Sequence, residues 1–174
     1  MSDKINFIKK RRSIRKFKDI PVNEQQITSI LEAAMSAPSA MAKDPWRFII
    51  VRDTDNLKSI ADFLPNGAFL PDAGLGIIVC GDIGVAHSNS ISYMLQDCSA
   101  AIENMLLAAS ALDLGACWLG VHPREDRIKN IKQFCNLPEN IIPVAVLAIG
   151  VPDASPGPRT RYNKDYIHQE KWQS

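Results

Sequence analysis

The segment from Ile91 to Leu112 constrains the fold of this chain more than any other feature of its sequence. Apolar residues recur through it at helical spacing, and its second half, 105–109, is apolar nearly all round. A helix of this kind must be covered on every side, by the chain's own sheet or by another subunit. The residues that carry the spacing are Ile91, Met94, Leu95, Cys98, Ile102, Met105, Leu106 and Ala109.

Hydrophobic periodicity predicts further helices and strands on both sides of this helix. Asn23 is positioned to cap one helix, with Gln26 three residues later, and that helix should end before Pro38. The other helices are predicted over 3–10, 55–63 and 124–134, and strands over 46–51, 76–80, 116–119 and 144–149. The strand over 76–80 is apolar on both faces, which favours a central place in its sheet. Together these elements indicate an α+β fold, with a mixed central sheet flanked by helices.

Length and composition favour one domain over residues 1–174. The chain has 174 residues, of which 46% are hydrophobic, enough for one sizeable core. A Pro/Gly-dense stretch begins after the last predicted strand, so we expect 151–174 to form an extended tail. The net charge of +1 argues against a global preference for nucleic acid or an anionic membrane. No signal peptide is visible and no apolar run reaches the ~20 residues of a membrane span, so a cytoplasmic protein is expected.

The cysteines and histidines give no sign of a metal site. Cys80, Cys98, Cys117 and Cys135 are far apart, mostly within apolar segments and without CxxC spacing. We therefore expect buried, reduced thiols. The histidines at 87, 122 and 168 are expected to be polar surface residues, and no catalytic acid or base is nominated.

A dense cationic cluster, 9–16, follows the first predicted helix. It contains Arg11, Arg12 and Arg15 around Ser13. Guanidinium groups suit a phosphate, and the serine adds a hydroxyl donor. Cations near a helix C-terminus can equally complement its dipole on a solvated face.

Three other segments could approach a ligand. The loop 37–46 has small residues, including Pro38 and Ser39, and leads to Trp46, which could also be a simple core anchor. Residues 115–123 combine the predicted buried strand with Gly120, which follows Leu119 and would admit a close ligand or a turn. In the tail, Arg159 and Arg161 alternate and would point to opposite sides unless the chain turns there.

Taken together and in this order, these segments resemble the flavin-dependent nitroreductase family. The resemblance rests on R-R-S-I-R at 11–15, A-P-S at 37–39, P-W-R-F at 45–48, Q-D at 96–97, W-L-G at 118–120 and P-R-T-R at 158–161. It covers almost the whole chain. The combination of R-R-S-x-R, A-P-S and P-W-x-F is fairly specific, whereas W-L-G alone is weak.

The resemblance implies a homodimer with FMN in two active sites at the subunit interface. FMN phosphate and ribityl contacts would fall on Arg11, Arg12, Ser13, Arg15, Arg159 and Arg161. Pro38 and Ser39 would approach the flavin from the partner subunit, and Leu119 and Gly120 would lie near the isoalloxazine ring. The apolar helix would then belong to the dimer core.

The sequence departs from the family pattern in the loop after A-P-S. Ala42 and Asp44 stand where the family commonly has an Asn that bonds the flavin ring and a Gln before Pro-Trp. Loss of the Asn removes a donor that helps set the electronics of the flavin. The retained phosphate contacts still predict FMN binding.

The implied reaction is a ping-pong transfer of electrons from NAD(P)H through FMN to a small electrophilic acceptor, such as a nitroaromatic or a quinone. Three alternatives stay open at this point. One is a specialised flavoenzyme of the same fold, such as a dehalogenase, and another is a non-catalytic FMN-binding protein. The third is a module that binds phosphate or nucleic acid through the basic cluster 9–18.

Overall fold

A computed structural model describes residues 3–172 of the chain. Its helices are α1 (Asp3–Lys10), α2 (Glu24–Met35), α3 (Thr54–Asp62), α4 (Leu70–Ala73), α5 (Ile91–Ala111) and α6 (Glu125–Phe134). Its strands are β1 (Trp46–Val51), β2 (Leu75–Asp82), β3 (Gly115–Gly120) and β4 (Ile141–Gly150). The predicted helices and strands are confirmed to within about three residues at each end, the scatter expected of such bounds. The short helix α4 was not predicted.

The four strands form one sheet in the order β1-β2-β4-β3, and every neighbouring pair is antiparallel. The predicted mixed sheet is therefore wrong. Strands that alternate with helices suggest parallel crossovers, but apolar periodicity carries no information on strand direction. Among the described residues, parallel pairing occurs in an isolated bridge between Ser13 and Ala116, outside the four-strand ladder. The central place of β2 is confirmed.

Helices cover both faces of this sheet, which explains why β2 and β4 are apolar on both sides. On one face, α2 and α5 bury Ile30, Ile102 and Met105 against alternate strand residues. On the other face, Leu57 from α3 and Ile131 from α6 lie in a second cluster. Each such side chain stabilises the fold by about 1.5–3 kcal/mol when fully buried.

The helix α2 begins as its sequence predicts. The Asn23 side chain accepts from the Gln26 amide at 2.9 Å, and the Gln26 side chain accepts from the Asn23 amide at 3.1 Å. This reciprocal capping box satisfies two donors at the helix start. The helix then packs along α5, where Asn104 Nδ2 donates to the Ala33 carbonyl at 3.0 Å.

Most of α5 is covered by the chain itself, but one strip is not. Leu107 and Ala108 are half-buried and Ala111 is exposed. They line an apolar depression of about 320 Å³ together with Phe7 and Ala33. The described residues thus leave a narrow part of this helix open to a further contact. None of the helices within 3–172 has the length and apolar character needed to cross a membrane.

The cationic segment runs along the free edge of β3. The Ile14 amide donates to the Ala116 carbonyl at 3.0 Å, and a Cβ at Gly115 would stand 2.8 Å from the Ile14 side chain. Glycine therefore permits this close approach. Further on, Lys18 donates through its amide to the Val151 carbonyl at 2.9 Å. These bonds place the start of the C-terminal tail beside the N-terminal segment.

Candidate functional site

Six of the residues predicted to bind a cofactor line one cavity of about 510 Å³. They come from the two ends of the sequence: Arg11, Arg12, Ser13, Arg15, Arg159 and Arg161. The lining is five guanidinium groups and one hydroxyl, without a carboxylate. Such a set favours an anion, because guanidinium groups can donate in pairs to phosphate oxygens. We call this the arginine cavity.

Neighbouring groups fix two of these arginines. Arg12 Nη1 donates to the carbonyl of Gly157, which ties the tail to the N-terminal segment. Arg11 Nε lies 3.3 Å from the Glu103 carboxylate on α5. Because this carboxylate neutralises part of one charge, most of the cavity's positive potential comes from the other four arginines.

The two tail arginines line the same cavity although they alternate along the chain. An extended segment would direct Arg159 and Arg161 to opposite sides. Residues 157–163 have no regular secondary structure, and the Tyr162 amide donates to Thr160 Oγ1 at 3.3 Å. The segment is thus irregular rather than a regular extended strand, and both guanidinium groups line the arginine cavity.

A second cavity, of about 470 Å³, adjoins the first, and we call it the ring cavity. Arg15 lines both. The rest of its lining is mainly apolar and aromatic, with one further cation: Leu64, Pro65, Asn66, Ala68, Phe69, Trp118, Leu119, Gly120 and Arg127. A cavity of this composition suits a flat ligand with a few polar atoms.

Leu119 and Gly120 lie in the ring cavity, at the end of β3. Leu119 is buried, and a Cβ added at Gly120 would meet no atom within 4 Å. The glycine therefore borders open space.

Arg127 and Phe69 are ring-cavity residues that the sequence did not identify. Arg127 extends from α6 and donates through Nη1 to the Gly120 carbonyl at 2.7 Å. Its Nε is buried and has no hydrogen-bond partner among the described residues. In the sequence, Arg127 is an arginine beside the apolar stripe of an amphipathic helix. An arginine in such a position commonly faces solvent, so the sequence offered no reason to single it out.

Pro38 and Ser39 are not among the residues that line either cavity. They belong to the loop between α2 and β1, which is held against α5 because the Ala40 amide donates to Asp97 Oδ1 at 2.9 Å. Trp46, at the end of this loop, is buried in the main core, so it is a core anchor. Within one subunit, therefore, Pro38 and Ser39 do not line the arginine cavity or the cavity beside it.

Asp44 engages the hydroxyl of Ser39 within this loop. Ser39 Oγ donates to Asp44 Oδ1 at 2.5 Å and accepts from the Asp44 amide at 3.0 Å. Met41, Ala42 and Asp44 all have positive φ angles, between 49° and 54°. Asn adopts this left-handed conformation more readily than Ala does, so position 42 is strained in this chain.

The model of the nitroreductase family matches residues 8–66 and 64–151 of the chain. This chain belongs to the nitroreductase family. The match spans the cationic segment, the loop after α2, α5 and all four strands, and it confirms the resemblance inferred from the motifs.

Individual nitroreductase relatives cover nearly the whole chain. A protein of Methanothermobacter thermautotrophicus named "Putative NADH dehydrogenase/NAD(P)H nitroreductase" is 45% identical, over 98% of this chain and 88% of its own. A solved structure of the same name from Parabacteroides distasonis is 38% identical, has a TM-score of 0.92, and covers 99% of this chain and 100% of its own. A solved structure from Desulfovibrio desulfuricans, in complex with FMN, is 28% identical, has a TM-score of 0.84, and covers 99% of both chains.

The cysteines of this nitroreductase-family chain are free, as expected, and three of the four are buried. Burial raises the pKa of Cys80 to about 12 and that of Cys98 to about 12. Burial also raises the pKa of Cys117 beneath the site, although Arg15 and Arg11 oppose the rise. These groups therefore stay protonated thiols at neutral pH, which disfavours nucleophilic chemistry.

The histidines lie outside the two cavities. The His87 ring stands edge-on to Tyr93 at 5.0 Å, and His168 stacks on Trp172 at 4.1 Å. All three histidines are half-buried rather than fully exposed. Among the described residues, no three His, Cys, Asp or Glu side chains come together as a metal site would require.

Proposed function

We propose that this protein is an FMN-dependent oxidoreductase, which passes electrons from NAD(P)H to a small electrophilic acceptor by a ping-pong cycle. The observation that carries the proposal is the pair of adjoining cavities that share Arg15. One is lined by cations and the other mainly by apolar and aromatic side chains. FMN has the same division, a phosphate at one end and a flat ring at the other.

The residues of the arginine cavity fit the phosphate end. Arg11, Arg12, Arg15, Arg159 and Arg161 would neutralise its charge, and Ser13 would add a hydroxyl donor. The solved relative in complex with FMN supports this choice of ligand. When bound, FMN supplies the two-electron chemistry, while the protein supplies position and electrostatics.

The residues of the ring cavity fit the flavin ring. Leu119 would contact the ring, and the open space beside Gly120 would let the ring approach the backbone closely. Phe69 and Trp118 would help exclude water from it. We assign no catalytic acid or base, because the chain has only to position the ring and the reactants.

We also propose a homodimer, in which Pro38 and Ser39 of the partner subunit complete each site. The loop that carries them does not line the cavities of its own chain. The half-open strip around Leu107 on α5 and the exposed Tyr162, Tyr166 and Trp172 of the tail would be covered by a second copy. Sedimentation should show a dimer, and a stable monomer at working concentration would refute this part of the proposal.

The electron donor is proposed from the names of relatives, which give NADH or NAD(P)H. Nitroaromatics and quinones are the proposed acceptors, with a dehalogenase as the alternative. Comparing turnover of nitroaromatics, quinones and halogenated phenols would decide between them.

Residues 1–174 are proposed to act as one unit, tail included, because the tail arginines complete the arginine cavity. Fractionation of cells would test the predicted cytoplasmic location.

The first experiment is a visible absorption spectrum of the purified protein, with the heat-released cofactor identified by mass. We expect flavin bands, released FMN and oxidation of NADH or NADPH by the loaded protein. A colourless protein that takes up no added FMN would refute the proposal. It would favour a phosphate- or nucleic-acid-binding role for the basic cluster 9–18.

A further inference from the structure

We propose that Arg127 is an electrostatic determinant of this site, whose fixed positive charge favours the reduced, more anionic state of the bound flavin. This inference rests on the proposed function and adds a residue to it. Neither the family motifs nor the sequence analysis assigns Arg127 a role. Its place in the ring cavity is independent of the phosphate contacts.

The geometry fixes the Arg127 guanidinium beside the point of closest ligand approach. Its Nη1 donates to the carbonyl of Gly120 at 2.7 Å, and Gly120 borders the open space of the ring cavity. The side chain is partly buried, and it is one of the residues that line this cavity. A bond to a backbone carbonyl at the end of a central sheet leaves the charge little freedom to move.

The surroundings do not neutralise this charge. The lining of the ring cavity contains two cations, Arg15 and Arg127, and no carboxylate. Arg127 Nε is buried and has no partner among residues 3–172, and none of the described ion pairs involves Arg127. Because Arg127 is partly buried, its charge acts on a ligand with less screening than a fully exposed charge would.

A flavin gains negative charge when it accepts two electrons and one proton. A fixed cation beside the ring binds that state more strongly than the neutral oxidised state, and differential binding of two redox states shifts the midpoint potential upward. Arg127 would thereby offset the donor that the chain lacks at Ala42. Arg127 would act only through its charge, and no proton transfer is assigned to it.

The test is the midpoint potential of bound FMN in four proteins: the wild type, Arg127→Gln, Arg127→Lys and Arg124→Gln. Gln removes the charge but retains an amide donor for the Gly120 carbonyl, whereas Lys retains the charge. Arg124 is exposed at the start of α6 and lines neither cavity, so it is the matched control. Far-UV circular dichroism and FMN content check each variant.

We expect Arg127→Gln to weaken the preference for reduced over oxidised FMN about tenfold, which lowers the two-electron potential by about 30 mV. Arg127→Lys should retain most of the wild-type potential, and Arg124→Gln should retain all of it. If Arg127→Gln does not fold, Arg127→Met carries the same measurement.

An unchanged potential in a folded, FMN-loaded Arg127→Gln protein would overturn this inference and leave the proposed function intact. An equal fall in Arg127→Gln and Arg127→Lys would also overturn it, since the potential would then not follow the charge at position 127. A wild-type protein that binds no FMN would refute the proposed function and this inference together.

Discussion

The Ser39 hydroxyl donates to the Asp44 carboxylate at 2.5 Å and accepts from the Asp44 amide at 3.0 Å. This pair closes a loop in which Met41, Ala42 and Asp44 all have positive φ angles. The side chain that replaces the family's usual Gln thus holds the loop in a strained conformation. It also accepts the hydrogen bond of the Ser39 hydroxyl, which by the family resemblance would approach the flavin of the partner subunit.

Removing the Asp44 carboxylate should release this loop. We expect Asp44→Ala to lower the free energy of unfolding by about 1 kcal/mol, less than the roughly 1.5–3 kcal/mol typical of a hydrogen bond to a charged group, because the pair is exposed. Urea unfolding would measure it. Asp19→Ala, at an exposed loop carboxylate, is the control and should change stability little. An Asp44→Ala protein as stable as the wild type would show that the pair does not hold the loop.

Filling the space beside Gly120 should separate ligand binding from folding. A Cβ at this position would meet no atom within 4 Å, so Gly120→Val should fold with a near-normal melting temperature. Its side chain would occupy the ring cavity and weaken FMN binding about tenfold or more, a cost of about 1.4 kcal/mol. Glu139→Val, at an exposed loop position outside both cavities, is the control. Normal FMN affinity in Gly120→Val would place the ring elsewhere.

The tail arginines should contribute to binding only through the phosphate. In an Arg159→Ala/Arg161→Ala double variant, FMN affinity should fall by about 10–100-fold, since charge-assisted hydrogen bonds contribute about 1.5–3 kcal/mol each and exposure reduces this. Riboflavin, which has no phosphate, should bind the variant and the wild type alike. Lys164→Ala controls for loss of tail charge outside the cavity. A parallel loss of riboflavin binding would contradict the assignment.

The buried thiols should make the fold sensitive to alkali. Their folded pKa is raised, to about 12 for Cys80 and about 12 for Cys98. The folded state therefore holds these protons where the unfolded state releases them, above an ordinary thiol pKa of about 8.5. The stabilising contribution is complete below that pH and is lost as pH rises toward about 12, at up to about 1.4 kcal/mol per pH unit for each thiol.

Denaturant unfolding between pH 8 and 11 would measure this slope. Replacing Cys98 by Ala should make the decline less steep, even though the cavity it leaves lowers stability at every pH. A slope identical to that of the wild type would mean that Cys98 does not titrate with unfolding.

The sequence predicted what depends on local pattern and missed what depends on how distant segments meet. The capping box at Asn23 and the buried helix around Ile102 follow from spacing alone. The direction of the strands did not, because residues apolar on both faces occur in parallel and antiparallel sheets alike. The sequence named Arg159 and Arg161 but could not show that both side chains reach one cavity. Arg127 was missed because its placement depends on a bond to the Gly120 carbonyl, made where the chain passes from β3 into α6.

The central claim is that the arginine cavity binds the phosphate of FMN. It is tested most directly by titrating flavin-free protein with FMN and with riboflavin under the same conditions. We predict that FMN binds more tightly than riboflavin by at least about tenfold, or 1.4 kcal/mol, and that added salt narrows the difference. Equal affinity for the two flavins, or no binding of either, would contradict it.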